Sequence, residues 1–420
     1  MDKKQIRIAI IGGGLAGASA ANALFHLPHV DVHVFESAPE LSERGAAVGL
    51  SVNAQRALNA IIPPDKGVLQ KAGAVPMNSS RIILGSGKDA GTVIFDLKTG
   101  VCVHRASLLR ELLSPLPKEI LHPNKQLIAI NAKASGVELA FKDGTLYDFD
   151  AVIGADGIFS FVRQHVFRDT APGEDYGPSP AGFWDCRNLV PLDKAKSTLG
   201  EEFFEDDRRY SWIGDGAFIM HDILEDRTMV QCIVSAIDKQ QSFTESRKSI
   251  LTLEDLKQTL NTWLDGPIAR GMMDLTLNQP DTYKYSQWEH KTTPTYFEDR
   301  VCLMGDAAHA STPWMGAGAG IAIEDAMALG ALFANLSSPK EITAAFKAYD
   351  MIRRPRCQKV VDTSRETGLL FCGEFGLDVA ELRAEISTRW NFILELDMEA
   401  HQQEAMEYFT KYKNNQETSF

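Results

Sequence analysis

Two glycine-rich stretches, and the acids beside them, carry most of the chemistry legible in this sequence. The first, Gly12-Gly13-Gly14-Leu15-Ala16-Gly17, has the spacing G-x-G-x-x-G. Gly12 permits a tight turn, Gly14 lets the backbone approach a pyrophosphate, and Gly17 lets the next helix pack closely on its strand. Glu36 lies nineteen residues past Gly17, where a carboxylate can accept hydrogen bonds from a ribose diol. The second stretch, GDAAHASTPWMGAGAGIAIEDA, runs from Gly305 to Ala326. It sets Asp306 directly after a glycine, then Pro313, then Gly316, Gly318 and Gly320, and ends on Glu324 and Asp325. Two glycine segments in one chain need two different jobs.

The elements around them follow from pattern. IRIAII is a short β-branched run suited to a buried parallel strand, and ASAANALFHL after the first glycines is an alanine-rich helix. DVHVFE is a second strand ending at Glu36. Asn53-Ala54 opens a helix, and His104-Arg105 precede another in VHRASLLREL. AVIGADGIFSFVR places Asp156-Gly157 at a strand end, followed by Ser160 and Arg163; RVCLM delivers Gly305-Asp306 in the same way. Gly85 to Gly91 sits between two alternating apolar runs, RIIL and TVIFDL, and its spacing is that of a hairpin turn rather than a phosphate loop. Tyr349 to Arg365 predicts a structural helix that Pro355 kinks or ends in a turn.

Composition narrows the class. A chain of 420 residues, 44% apolar, is long enough for two cores or one elaborate domain with insertions. A net charge of -13 argues against nucleic acid or an anionic membrane surface as partner. Six scattered cysteines form no C-x-x-C pair, and no histidine or acid spacing suggests a metal site. No apolar run reaches the roughly twenty residues that span a bilayer, so a soluble, cytoplasmic protein is expected.

The order of these blocks resembles the FAD-dependent group A aromatic hydroxylases, the p-hydroxybenzoate hydroxylase fold, and within it the salicylate hydroxylase-like monooxygenases of fungi and bacteria. The resemblance covers nearly the whole chain. It implies an α/β fold: a Rossmann-type FAD-binding domain, an inserted, mostly antiparallel substrate-binding sheet, and a C-terminal helical section. The expected bounds are 1–170 for the first FAD-binding part, with a hairpin near 80–97, and 171–285 for the substrate sheet. Residues 286–365 would complete the FAD-binding domain, and 366–420 form the helical section.

Residue by residue, the resemblance gives Gly12, Gly14, Ala16 and Gly17 the FAD pyrophosphate and Glu36 the adenosine ribose. It sets Arg44 and Arg105 along the cofactor's phosphates and ribose. Asp156-Gly157 matches a motif linked to FAD and to the nicotinamide cofactor, and Asp306 an aspartate on the ribityl chain. Pro313 would bend the backbone beside the flavin ring, with Gly316, Ala317, Gly318 and Ala319 against the ring and a helix dipole aimed at its pyrimidine edge. Two departures stand out: Gly45-Ala46-Ala47-Val48 replaces G-A-G-I, and Ala317 replaces a common glutamine. Glu324 and Asp325 are then expected to anchor the helix, and His309 to pack or cap.

The chemistry implied is reduction of FAD by NADPH or NADH, reaction with O2 to a flavin hydroperoxide, and hydroxylation of a small aromatic substrate. For a salicylate-type acid, decarboxylation would accompany it. The absence of a second G-x-G-x-x-G and of a redox C-x-x-x-x-C disfavours the disulfide reductases. The substrate side carries less signal. Arg187, Tyr210, Trp212 and His221 are candidate pocket residues, with Arg187 a cation for a carboxylate and His221 standing where relatives carry a tyrosine. Arg187, His221 and Pro313 are the expected catalytic set. Two other readings share the cofactor motifs: an epoxidase or hydroxylase of a non-phenolic metabolite such as an indole alkaloid, and a flavin-binding redox sensor without turnover. The oligomeric state stays open, a homodimer being one outcome.

Overall fold

The computed structural model describes residues 5–42, 47–77, 79–97, 100–168, 174–204, 208–224, 227–239 and 247–417. The strand Ile6–Ile11 lies at the centre of a six-stranded sheet, between Val30–Phe35 and Ala151–Gly154 and parallel to both. Val301–Leu303 continues the sheet in parallel beyond Ala151–Gly154. The uninterrupted apolar character of these strands follows from burial on both faces, as in other parallel sheets. Helix Leu15–Phe25 leaves the glycine loop and packs on helix Gly318–Ala334, which also meets helix Val52–Ile61. Small residues let the three approach: a Cβ on Gly330 would come within 3.0 Å of the Ala23 methyl, and one on Gly320 within 3.0 Å of Ala54.

The second large layer is an eight-stranded sheet in the order Lys248–Ile250, Tyr283–His290, Pro178–Pro191, Met229–Ile237, Ala217–Leu224, Arg208–Gly214, Ser79–Leu84, Val93–Leu97. Only the pairing of Ser79–Leu84 with Arg208–Gly214 is parallel. The hairpin expected near 80–97 does form, but it extends this sheet rather than the six-stranded one. Tyr283–His290 likewise carries the sheet past residue 285. Behind one face, helices Leu192–Leu199, Leu253–Thr259 and Ala269–Leu277 bury Trp212, Trp263 and Met272. The other face looks toward the glycine segments.

Helix Ile342–Phe371 runs unbroken for 30 residues with Pro355 inside it, so neither a turn nor a helix end forms there. Arg353 and Arg356 flank the proline and are bound into buried ion pairs, which hold the helix where one backbone bond is missing. Helices Val379–Thr388, Asn391–Leu394 and Met398–Glu417 close the molecule. No helix among the described residues is long and apolar enough to cross a membrane.

Candidate active site

Gly12 adopts φ +109°, a conformation that favours glycine, and a Cβ there would lie 2.3 Å from the Ala155 carbonyl oxygen. A Cβ on Gly17 would fall 1.9 Å from the Gly12 carbonyl. Helix Leu15–Phe25 therefore starts tight against its strand, and no side chain caps it and no acid sits in its first turn. Its positive end opens on a cavity of about 490 Å3 lined by Gly12, Gly14, Ala16, Glu36, Asp156 and Gly157. The Glu36 carboxylate is fixed by the Gly13 and Ala38 N–H groups, both at 2.8 Å. Carboxylate oxygens accept more than one bond each, so capacity for a ribose remains.

Asp156 is spent differently. Its carboxylate accepts from the Ser160 hydroxyl and from the Phe161 and Val162 N–H groups at 2.8 and 3.1 Å, capping helix Phe161–Phe167. Burial pushes its pKa up. Its backbone and Gly157 line the cavity while the carboxylate acts as a cap. Arg163 is buried and donates to the carbonyls of Tyr176, Ala307 and Ala308 at 2.6, 3.1 and 2.9 Å, so it fixes the turn that presents Asp306. Arg44 lies outside the described residues.

Gly305 has φ +56°, and a Cβ on it would sit 2.8 Å from the Ala16 methyl. The two glycine segments thus abut. Asp306 is exposed, and with Arg105, Gly318 and Ala319 it lines both the first cavity and a second of about 290 Å3. Beyond it Pro313–Met315 makes a 3-10 turn, Gly316 takes φ +62°, and helix Gly318–Ala334 begins without a side-chain cap. A Cβ on Gly316 would meet nothing within 4 Å, and one on Gly318 only the Ser311 hydroxyl at 3.9 Å. Ala317 between them is 7% exposed and also lines the second cavity. The joined cavities fall in the size range of cofactor sites, roughly 300–1,000 Å3. A helix terminus and a carboxylate at one end, with bare backbone at the other, fit a dinucleotide carrying a flat ring.

Beneath this wall lies a buried charge network. Arg353 donates to Asp325 and Glu324, both at 2.8 Å, and to the Ile321 carbonyl at 3.0 Å. Asp325 also accepts from the Gly305 N–H at 3.0 Å and pairs with His309 at 2.6 Å; Glu324 takes Arg356 at 2.7 Å and Asn53 at 2.6 Å. Although burial opposes ionisation, the neighbouring cations hold Glu324 down to about 2 and Asp325 lower still. His309, Asp325 and Cys357 come together here, but the Arg353 guanidinium already supplies the cation between them. Glu324 and Asp325 anchor the helix, and His309 is a packed partner.

The opposite wall is the eight-stranded sheet, and its register sorts the side chains into rows. Strand pairing carries one row through Ser80, Arg209, Asp222 and Gln231, a second through Ile82, Ser211, Met220, Ile233 and Arg187, and a third through Ile213, Phe218, Ser235 and Asp185. Most of these side chains line the second cavity, with Trp314, Phe371, Trp390 and Leu394 closing its sides. Ala47, on strand Ala47–Ser51, joins the rim by donating its N–H to Gln231 at 3.1 Å.

Alternation along a strand corrects the sequence reading here. Tyr210, Trp212 and His221 occupy the intervening positions, so they point away from the cavity into the core under helix Ala269–Leu277. His221 is fully buried and stacked on Tyr210 and Trp212, and burial pushes its pKa down to about 4. It is a core residue, not a pocket base. Arg187 does line the cavity, paired with Asp185 at 2.7 Å and 40% exposed. Arg209, Asp222 and Gln231 belong to no motif, though the alternation within RRYSWIG sets Arg209 on the face opposite Tyr210 and Trp212.

A family model described as FAD binding domain matches residues 121–364. The 6-methylsalicylate 1-monooxygenase of Aspergillus terreus is 33% identical over 99% of this chain and 95% of its own. The chain is an FAD-dependent monooxygenase of the salicylate hydroxylase type. An FAD-dependent monooxygenase of Phaeosphaeria nodorum is 30% identical over 96% of this chain and 86% of its own. Among solved structures, a salicylate hydroxylase substrate complex superposes with a TM-score of 0.84 at 26% identity, covering 96% of this chain and 98% of the other.

Proposed function

We propose that this monooxygenase uses NADPH or NADH and O2 to hydroxylate a phenolic or aromatic-acid substrate of salicylate type, with loss of CO2 where a carboxylate stands at the attacked carbon. The observation that carries the reading is the facing of two unlike walls. One is bare backbone from Gly316 to Gly318; the other is a sheet face offering Arg209, Ser211, Gln231 and Ser235. FAD, once reduced, would supply an electrophilic oxygen drawn from O2.

The chain's own residues would do the rest. Gly12, Gly14, Ala16, Gly17 and Glu36 would hold the pyrophosphate and ribose, Arg105 and Asp306 the middle of the cofactor, and Gly316 to Ala319 its ring. The uncapped start of helix Gly318–Ala334 favours negative charge at the ring edge. Pro313 turns the backbone so that the glycines, rather than side chains, face the ring. Trp314, Phe371, Trp390 and Leu394 exclude water, and the polar rows orient the aromatic ring.

The test is NAD(P)H oxidation by the purified FAD-loaded protein with a panel of phenols and aromatic acids, read together with product mass. Stimulation by an aromatic compound and a product that has gained one oxygen, or gained one oxygen and lost CO2, supports the reading. Oxidation that no aromatic compound affects, with no oxygenated product, refutes it.

A further inference from the structure

Three arginines line the second cavity, and they are not equivalent. Arg105 sits at its junction with the first cavity, beside Asp306. Arg187 is 40% exposed and is bound at Nε by Asp185 on its own strand. Arg209 is different. Its Nε donates to Asp222 at 2.6 Å, and Asp222 is 1% exposed. Gln231 donates to the other oxygen of Asp222 at 3.4 Å while accepting the Ala47 N–H. That chain of bonds fixes the plane of the guanidinium from behind. Its Nη2 lies against Gly49, where a Cβ would come within 3.4 Å, so glycine there makes room for the fork. Among the described residues no carbonyl or carboxylate accepts from the terminal N–H groups of Arg209. The Cys102 thiol lies beside the guanidinium, and the same cavity is lined by two hydroxyls, Ser80 directly across the strand pair and Ser211 two residues along.

We infer that Arg209 is the residue that selects the substrate by its carboxylate, with Asp222 and Gln231 as positioning residues. A planar fork with a buried anion behind it and a cavity in front matches a ring-borne carboxylate in two parallel hydrogen bonds. The ring then lies over Ser211, Met220 and Ile233, with the hydroxyls of Ser211 and Ser235 available to a phenol. The backbone of Arg187 stands three strands away, about 14 Å at ~4.8 Å per strand, and its Nε is already held by Asp185. The inference rests on the proposed hydroxylase reading and names the acid, rather than the neutral phenol, as its substrate class.

The test is equilibrium binding of salicylate and of phenol to the FAD-loaded protein, by calorimetry, for the unaltered chain and for Arg209→Met, Arg209→Lys and Arg187→Met. Expected is tighter binding of salicylate than of phenol by the unaltered chain. Arg209→Met should weaken salicylate by about 10- to 100-fold and leave phenol within about twofold. Arg209→Lys, which keeps the charge without the fork, should fall between. Arg209→Met leaves Asp222 unpaired; the double variant Arg209→Met/Asp222→Leu removes both charges, and must show the same selective loss with an unchanged melting profile. Equal affinity of the unaltered chain for both ligands, no salicylate binding, equal loss of both ligands, or selective loss in Arg187→Met instead would each overturn the assignment. Failure of the hydroxylase reading shows elsewhere, as NAD(P)H oxidation without oxygenated product in the unaltered chain.

Discussion

Replacing Arg353 with methionine strikes the network beneath the glycine-built wall of the cavities. Arg353 is fully buried and makes its bonds to Asp325, Glu324 and the Ile321 carbonyl between 2.8 and 3.0 Å. Removing one partner from a buried ion-pair network costs ~3–5 kcal/mol, because uncompensated charge stays behind. Here each acid keeps a second cation: His309 for Asp325 and Arg356 for Glu324. That places the expected loss near the lower end, ~3 kcal/mol. Urea unfolding measures it as a shift in midpoint at constant slope. Arg354→Met is the contrast, since its pair with Asp350 is 28% exposed on the arginine side; ~0.5 kcal/mol is expected there. Adding Asp325→Asn to Arg353→Met should deepen the loss, because it takes away the remaining partner of buried His309. A loss below ~1 kcal/mol for Arg353→Met, or an equal loss for Arg354→Met, would refute the reasoning.

The remaining expectations are briefer. Gly17→Ala sets a methyl 1.9 Å from the Gly12 carbonyl oxygen, so the purified variant should lose its bound flavin absorbance. His221→Phe keeps the aromatic stack and never meets the cavity, so KM for an aromatic substrate should stay within about twofold; a tenfold rise would return His221 to the pocket. Stability should fall on acidification. Burial pushes His221 and His401 down to about 4 and His290 to about 3, so all three are neutral in the fold and protonate more readily unfolded. Unfolding then takes up protons as pH drops from the ordinary histidine value near 6.5 toward 4, at about 1.4 kcal/mol per pH unit per histidine. Unfolding midpoints measured from pH 7 to 4 check this, and a flat profile would contradict it.

The glycine segments were legible because glycine requirements are local. Gly12 at φ +109° and Gly316 at φ +62° demand glycine whatever the rest of the fold does, and Gly17 is held by a neighbour five residues away. The hairpin of RIIL and TVIFDL was legible for the same reason, yet its sheet was not. Its other neighbour, Arg208–Gly214, lies more than a hundred residues on. The substrate face failed on a different ground. Tyr210, Trp212 and His221 look like a pocket by residue type, and Arg209 and Ser211 look like solvent-facing polar positions. Both faces of that strand are covered in the finished fold, one by helices and the other by the cavity. Residue type tells buried from exposed, but not protein-covered from ligand-covered, and a face meant to receive a polar ligand resembles a surface.

The abutment of the two glycine segments links stability to cofactor retention. Gly305 packs within a Cβ's breadth of Ala16, and its N–H is held by Asp325, which Arg353 holds in turn. Loosening Arg353 therefore reaches the turn that carries Asp306 and the start of helix Leu15–Phe25, the proposed pyrophosphate site. Arg353→Met should release FAD faster as well as unfold more easily. His221→Phe shares no bond with that network, so any change it makes in stability should leave FAD release untouched. With FAD and substrate placed as proposed, fold stability and flavin affinity would be coupled through the side of the cavity built from glycines, and the sheet face would be the one to alter for specificity.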